Sequence, residues 1–482
     1  MAPLLPLTTS ALSTGFLLFG YDQGIMSGIL LSPSFLATMS HPSPLILGTL
    51  TALYDLGAVP GALLAAVYSD HLGRKKTLLY GAALVGLAGI GMALSQDRIQ
   101  FGIGRVLVGI GIGLVCSVCP VYQAEISRGE QRGWMVCCQL TTMLVGLAGA
   151  YWVNYGFYFV EGQVQWRVPL GLQVVFAGYI LLVGKWLEDT PRWLLRRYPD
   201  RPERAKGVLQ RLRGEGVEVE EELEGITEAI EREAKAEGTW RDLCRSDDLK
   251  TNKRFYLAVG IQFMQQMTGI NIVTYYAPTL YKTGLGMNEE KALLLGGFTQ
   301  VWYVLASFVT WYTIDRVGRR KLLISMAFGM GVVLIGEALA TAANSHLGAI
   351  TAVVCLFLFE GCFTWGAKGS ALAAAADFIG NWMVVEVTPV GIATMGWAFY
   401  LVWAGFNVVN GIVVWLFYPE TGGLPLEAVN LVFTGPTQGV TSEDSDAWFG
   451  RLQWDRVRVA DEAVGALRVR ASDEERQPLL SS

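Results

Sequence analysis

The sequence predicts an all-α membrane protein with twelve transmembrane helices in two pseudo-symmetric six-helix bundles, the tenth helix shortened. Three observations predict it. The chain is 52% hydrophobic and only 16% charged, where a soluble domain carries about a quarter charged residues. Twelve apolar segments, each near the ~20 residues a bilayer needs, fall six and six around a charged stretch at 188–254. Finally, DHLGRKK at 70–76 returns as DRVGRRK at 315–321, each after an even-numbered span. That internal repeat makes the two halves structural copies.

The expected spans are 8–30, 46–68, 77–95, 101–123, 134–155 and 169–187, then 255–281, 292–314, 321–343, 349–366, 370–389 and 396–418. The expected domains are therefore a first bundle at 1–187, a cytoplasmic charged helical linker at 188–254, a second bundle at 255–418 and a polar cytoplasmic tail at 419–482. Basic residues set the orientation. Arg74, Lys75 and Lys76 follow the second span, Arg128 and Arg132 the fourth, and Arg316, Arg319, Arg320 and Lys321 the eighth. The opposite connections hold only Arg98, Arg167, Lys282 and Lys291. Both termini are expected in the cytoplasm. The N-terminus lacks a basic region before its apolar run, so no cleavable signal is expected. The seven cysteines lack metal spacing, and His41, His71 and His346 are isolated. No metal, cofactor or enzymatic nucleophile–base pair is expected.

The seventh span, GIQFMQQMTGINIVTYYAPTLY at 260–281, is the most informative stretch. It is apolar enough to cross a bilayer, yet carries Gln262, Gln265, Gln266, Thr268, Asn271, Thr274 and paired tyrosines. Amides in lipid are costly unless partnered. Packing alone can use such groups, but this density points to a wet cavity lined by neutral donors and acceptors. At ~100° per residue, Gln262, Gln266, Gly269, Val273 and Tyr276 share a face, and Asn271 joins it only if the helix breaks. Gly269, after Thr268, is the natural place for a break. In the first span, FGYDQGIMSG puts Asp22 inside the membrane, and an intramembrane carboxylate is a functional residue by default.

QQMTGINIVTYY resembles the seventh-helix signature of the sugar porters of the major facilitator superfamily, in their fungal form. The resemblance extends over nearly all of 8–430 and implies the major facilitator fold. It implies transport of a sugar or related polyol by alternating access, with a proton co-transported. Gln265, Gln266, Asn271, Tyr276 and Asn381 would bind hydroxyls, with Gln139 and Trp365 in the same site. The motif GRVLVGIGIG on the fourth span makes Arg105 the implied partner of Asp22 in proton coupling; a static ion pair is the alternative. PVYQAEIS followed by Arg132-Gly133 would set Glu125 beside Arg74. LEDTPRWL contributes Glu188 and Arg192, and PETGGLPLE contributes Glu420. With Asp70, Asp315 and Arg319 from the repeated turns, these would form cytoplasmic charge clusters that break reversibly as a gate.

The chain departs from the family in places. Leu140 stands where relatives carry a substrate-binding glutamine, and Tyr303 where many have an asparagine. Between Trp365-Gly366 and Lys368-Gly369 a block of roughly fifteen residues is missing by family comparison. The tenth span is left with about 17 residues, or about 25 Å, barely enough to cross. A working variant, a non-transporting receptor and a damaged or mis-spliced product are all open, and transport impaired by the missing block after Gly366 is the favoured expectation. Glu360 and Asn381 are expected to reach the cavity, and Glu337, Asp377 and Glu386 are further intramembrane acids. In the tail, ERQPLL at 475–480 has the spacing of an acidic dileucine sorting signal. The expected location is the plasma membrane, with vacuolar or endosomal membrane as the alternative. The expected partners are a sugar or polyol, protons and the lipid bilayer; no nucleic acid is expected, and the chain is expected to be a monomer. A nutrient sensor and an uncoupled facilitator are the competing functions.

Overall fold

The structure, a computed structural model, describes residues 4–128, 132–214, 217–235, 251–317, 319–343, 345–367 and 374–418, some at helix ends by backbone alone. The expected Glu420 and the ERQPLL signal lie outside these residues. So do the side chains of Arg132, Asp315 and Arg319.

The described chain is helical. The first bundle comprises α1 (Leu4–Ile29), α3 (Pro44–Leu72), α4 (Arg74–Ala93), α5 (Arg98–Ile126), α6 (Arg132–Tyr158) and a sixth span split into α7 (Val164–Gly171) and α8 (Gln173–Val183), with the short α2 (Pro33–Thr38) outside. The linker carries α9 (Pro191–Arg197), α10 (Pro202–Arg213) and α11 (Val217–Lys235). The second bundle comprises α12 (Thr251–Gln266) with α13 (Ile270–Leu285), then α14 (Glu289–Val317), α15 (Arg319–Ala342), α16 (His346–Ala367), α17 (Ala374–Met395) and α18 (Phe399–Phe417). Twelve spans in two bundles result. Their outer faces are greasy, with Leu347 73% and Leu87 71% exposed. Such surfaces suit acyl chains, and helices satisfy their own backbone groups there.

Local chemistry sets the boundaries. Asp97 caps α5, accepting from the Ile99 and Gln100 amides at 2.8 and 2.9 Å. Ser43 caps α3, and Pro44 takes its first turn. Between α3 and α4, Gly73 sits at φ +95°, and a Cβ there would lie 2.5 Å from Asp189 Oδ1. Only glycine serves both demands. The seventh span breaks at Gly269, φ +86°, as the sequence suggested. The tenth helix, α16, has 22 residues, fewer than the 29 of α3, α5 and α14. At 1.5 Å per residue it is nevertheless about 33 Å long, longer than the ~25 Å expected. It starts at His346 rather than 349 because Ser345 Oγ caps its first turn by accepting from the Gly348 amide.

Backbone-to-backbone contact between spans explains much of the glycine. A Cβ on Gly109 of α5 would lie 2.0 Å from the Tyr54 carbonyl of α3, and one on Gly57 2.3 Å from that of Val106. Gly20 of α1 similarly abuts Met143 of α6. The bundles meet along three seams: α3 with α17, α6 with α14, and α1 with α13. Gly109→Val should lower the thermal stability of the detergent-solubilised protein, by about 1–3 kcal/mol for overpacking. Gly149→Ala, where an added Cβ meets nothing within 4 Å, should leave the melting temperature unchanged.

Candidate functional site

A cavity of about 190 Å³ lies between the bundles. Its two walls differ. The second bundle contributes Gln262, Gln265, Gln266, Asn271 and Thr274 from the broken seventh span, with Tyr303, Thr364 and Asp377. The first bundle contributes mainly carbon: Phe16 and Phe19 from α1, and Leu140, Met143, Leu144 and Leu147 from α6, relieved by Gln23. The break at Gly269 makes the polar wall. It turns α13 so that Asn271 Nδ2 donates to Gln266 Oε1, while Gln266 Nε2 donates to Asp377 Oδ1. The carbonyls freed at the break are taken by α18: Asn407 Nδ2 reaches the Thr268 oxygen and Asn410 Nδ2 that of Met264, both at 2.9 Å.

The remaining expected ligands are placed elsewhere. Gln139 is fully buried and does not line the cavity. One residue on a helix is about 100° of rotation, and α6 shows the cavity its Leu140, Met143, Leu144 and Leu147 stripe instead. Tyr276 is sealed between lobes, its hydroxyl donating to the Val385 carbonyl at 3.2 Å. Trp365 donates its indole N–H to the Ala306 carbonyl at 3.2 Å, because α16 turns Phe363 and Thr364 to the cavity. Glu360 does not line it either: Gln300 Nε2 donates to its carboxylate at 3.1 Å, within the second bundle. Asn381 donates to Asp55 Oδ1 of α3 at 2.8 Å. Gln23 and Asp55 were not singled out from the sequence, although each had a signal, Gln23 beside Asp22 and Asp55 as a lone acid inside an apolar span.

Contacts join the two bundles on the side away from the linker. Tyr151 of α6 donates to the Thr274 carbonyl at 2.7 Å, and Thr49 of α3 to Glu386 of α17 at 2.7 Å. Phe19 and Phe378 meet edge to face at 6.0 Å between ring centroids. Above the cavity wall, Asp22 and Arg105 form a fully buried ion pair at 2.9 Å. Arg105 also donates to the Thr51 carbonyl at 3.1 Å and stacks over Tyr54, 4.9 Å from the ring centroid. Neither residue lines the cavity.

At the linker end the structure brings several expected gate residues together. Arg74 joins Asp70 at 2.6 Å and Glu125 at 3.1 Å. Thr190, the cap of α9, donates to the other oxygen of Glu125. Glu188 is gripped by both Nη atoms of Arg211 at 2.5 and 2.6 Å. Arg192, at the start of α9, has electrostatic or hydrogen-bonded company. Three contributors went unrecognised in the sequence. Asp189 accepts the Lys75 amide at 3.0 Å, Lys75 Nζ reaches the Leu187 carbonyl at 2.6 Å, and Arg213 bonds the Ile126 carbonyl at 3.0 Å. Burial pushes the Asp189 carboxyl above its ordinary value, against the pull of the Lys75 amide and the Lys75, Lys76 and Arg74 charges. All these contacts belong to the first bundle and the linker. Among the described residues no group of His, Cys, Asp and Glu could hold a metal ion.

The arrangement is that of a solute carrier: a hydrogen-bonding pocket of amides, hydroxyls and one carboxyl group, Asp377, between two bundles that are joined toward one side. Comparison with known proteins agrees. A family model described as "Sugar (and other) transporter" matches residues 7–433. The MFS-type transporter oryC of Aspergillus oryzae is 32% identical over 470 residues, covering 91% of this chain and 87% of that protein. The sugar transporter STL1 of Saccharomyces cerevisiae is 30% identical over 462 residues, 88% of this chain and 80% of that protein. The Escherichia coli proton:xylose symporter XylE, solved with 6-bromo-6-deoxy-D-glucose, superposes with a TM-score of 0.74 at 24% identity, covering 89% of this chain and 99% of that one. The chain therefore belongs to the sugar porter family of the major facilitator superfamily, and is an integral membrane transporter rather than an enzyme.

Proposed function

We propose that this transporter carries a sugar or related polyol by alternating access, coupled to a proton. The observation that carries the reading is the amide wall at the cavity, where Gln262, Gln265, Gln266 and Asn271 stand opposite apolar side chains. Neutral amides exchange hydrogen bonds with hydroxyls and discriminate poorly for ions, whereas the facing Phe and Leu side chains suit the C–H face of a ring. Asp22 and Arg105 serve as the coupling pair in this reading. A proton on Asp22 weakens its hold on Arg105, so ligand and proton can bias the same rearrangement of α1, α3 and α5. The linker-end contacts of Arg74, Glu125 and Glu188 are gate contacts; the more exposed Glu188–Arg211 pair is worth only ~0–1 kcal/mol, whereas Arg74–Glu125 is largely buried. Arg132, Asp315, Arg319 and Glu420 are assigned the same role by motif. On this reading the linker is cytoplasmic, the cavity is sealed from outside, and the chain works as a monomer in the plasma membrane.

Proteoliposomes loaded with labelled hexoses, pentoses and linear polyols provide the test. Counterflow of at least one of them is expected; binding without flux would identify a sensor, and neither binding nor flux would refute the reading. Uptake set beside that of a chain carrying the missing block after Gly366 measures what those residues contribute.

Two substitutions sharpen this. Gln266→Ala should weaken affinity about tenfold or more, since it removes a hydrogen bond and strands its partners, at ~1–3 kcal/mol. Measured affinity equal to the parent's would exclude Gln266 from the site. Asp22→Asn should abolish accumulation against a gradient while counterflow persists; undiminished accumulation would show an uncoupled role for the pair.

A further inference from the structure

The coupling pair uses only part of the charge at the centre of the molecule. Arg105 gives one Nη to Asp22 and the other to the Thr51 carbonyl. One turn further along α3 lies Asp55, also fully buried. Its hydrogen-bond partner comes from the other bundle: Asn381 Nδ2 donates to Oδ1 at 2.8 Å, and that nitrogen is 3.4 Å from the Tyr275 hydroxyl of α13. Asp55 Oδ2 meets no protein donor or acceptor. The charges acting on Asp55 are Arg105 of α5, Asp22 of α1 and Asp377 of α17, with the Tyr54 and Tyr275 hydroxyls alongside. Glu386, farther out on α17, is engaged by Thr49.

Among these groups three carboxylates face one guanidinium. Arg105 is committed to Asp22, and Asp377 borders the cavity. A dry, uncompensated carboxylate is far costlier than a neutral acid. Asp55 is therefore the group that must be neutral as the seam stands. We propose that Asp55 is a second proton-binding site, holding its proton on Oδ2 while α3 and α17 are in contact. When the seam parts, the O–H bond breaks, the proton passes to entering water and a hydrated carboxylate remains; closure reverses this. The closed seam binds the proton more tightly, so acid favours the closed seam and alkali the open one. Glu360 and Glu337 are buried too, but inside the second bundle. Relative motion of the bundles does not change their surroundings, whereas it strips Asp55 of its partner. Only the use of this proton in a transport cycle rests on the proposed function; the site itself rests on the seam.

Infrared titration of the purified chain tests it without any sugar. In a chain carrying Glu337→Gln and Glu360→Gln, a protonated-carboxyl band at neutral pH is expected, with a component lost in Asp55→Asn. Asn381→Ala, which leaves the acid in place but removes a donor that favours its carboxylate, should raise the pH at which the band disappears. Spin labels at the exposed positions 45 and 395, near the outer ends of α3 and α17, in a chain without native cysteines, should separate as pH rises, and Asp55→Asn should remove that response. A band unchanged in Asp55→Asn or a label response that survives Asp55→Asn would each overturn the proposal. A chain that shows the band and the response but moves no sugar would instead overturn the proposed function.

Discussion

A guanidinium in the middle of a bilayer cannot be left alone, and Arg105 organises the first bundle for that reason. Its charge is met by Asp22 of α1, by the Thr51 carbonyl and Tyr54 ring of α3, all with no exposure to solvent. Three helices must converge for this to hold. They can converge because Gly57 and Gly109 let α3 and α5 touch backbone to backbone. Removing the charge partner would leave an uncompensated ion, at ~3–5 kcal/mol. Small residues and buried charge are one design here: the first brings the backbones close enough to keep water away from the second.

The second bundle meets a different constraint. Breaking a membrane helix frees carbonyls that lipid cannot satisfy. The break at Gly269 is tolerable because Asn407 and Asn410 of α18 supply the missing donors. In return it rotates Asn271 onto the face of Gln266. The break thus converts an amide-rich helix from a packing element into a pocket wall. The first bundle has no equivalent and offers its side of the cavity as carbon, apart from Gln23. The two halves are copies in topology but not in chemistry.

Much of this was legible in the chain. The six-and-six pattern, the repeated turn and the amide density of 260–281 follow from composition and spacing, and Gly269 announces the break. Gln265, Gln266 and Asn271 line the cavity because polar groups in an apolar span have few other places to go. What was not legible depended on rotation or on distant partners. Gln139 and Leu140 differ by one residue, yet only Leu140 faces the cavity. Tyr276 shares a helical face with Gln266 on paper, but the break that recruits Asn271 turns Tyr276 into the seam. The Asp55–Asn381 contact joins residues 326 positions apart, and nothing in a single sequence announces such a pairing. Span ends also moved: capping by Ser345 lengthened α16 beyond its apolar core.

The carbon wall built by Phe16, Phe19 and the α6 stripe has a consequence for any guest. Away from Gln23, a hydroxyl turned toward that side would shed its hydration and receive nothing back, whereas a bare ring edge or a methyl there would lose nothing on entry. The pocket is thus less a cage for polar groups than a two-sided clamp. It should tolerate deoxygenation along one flank of its ligand far better than along the other.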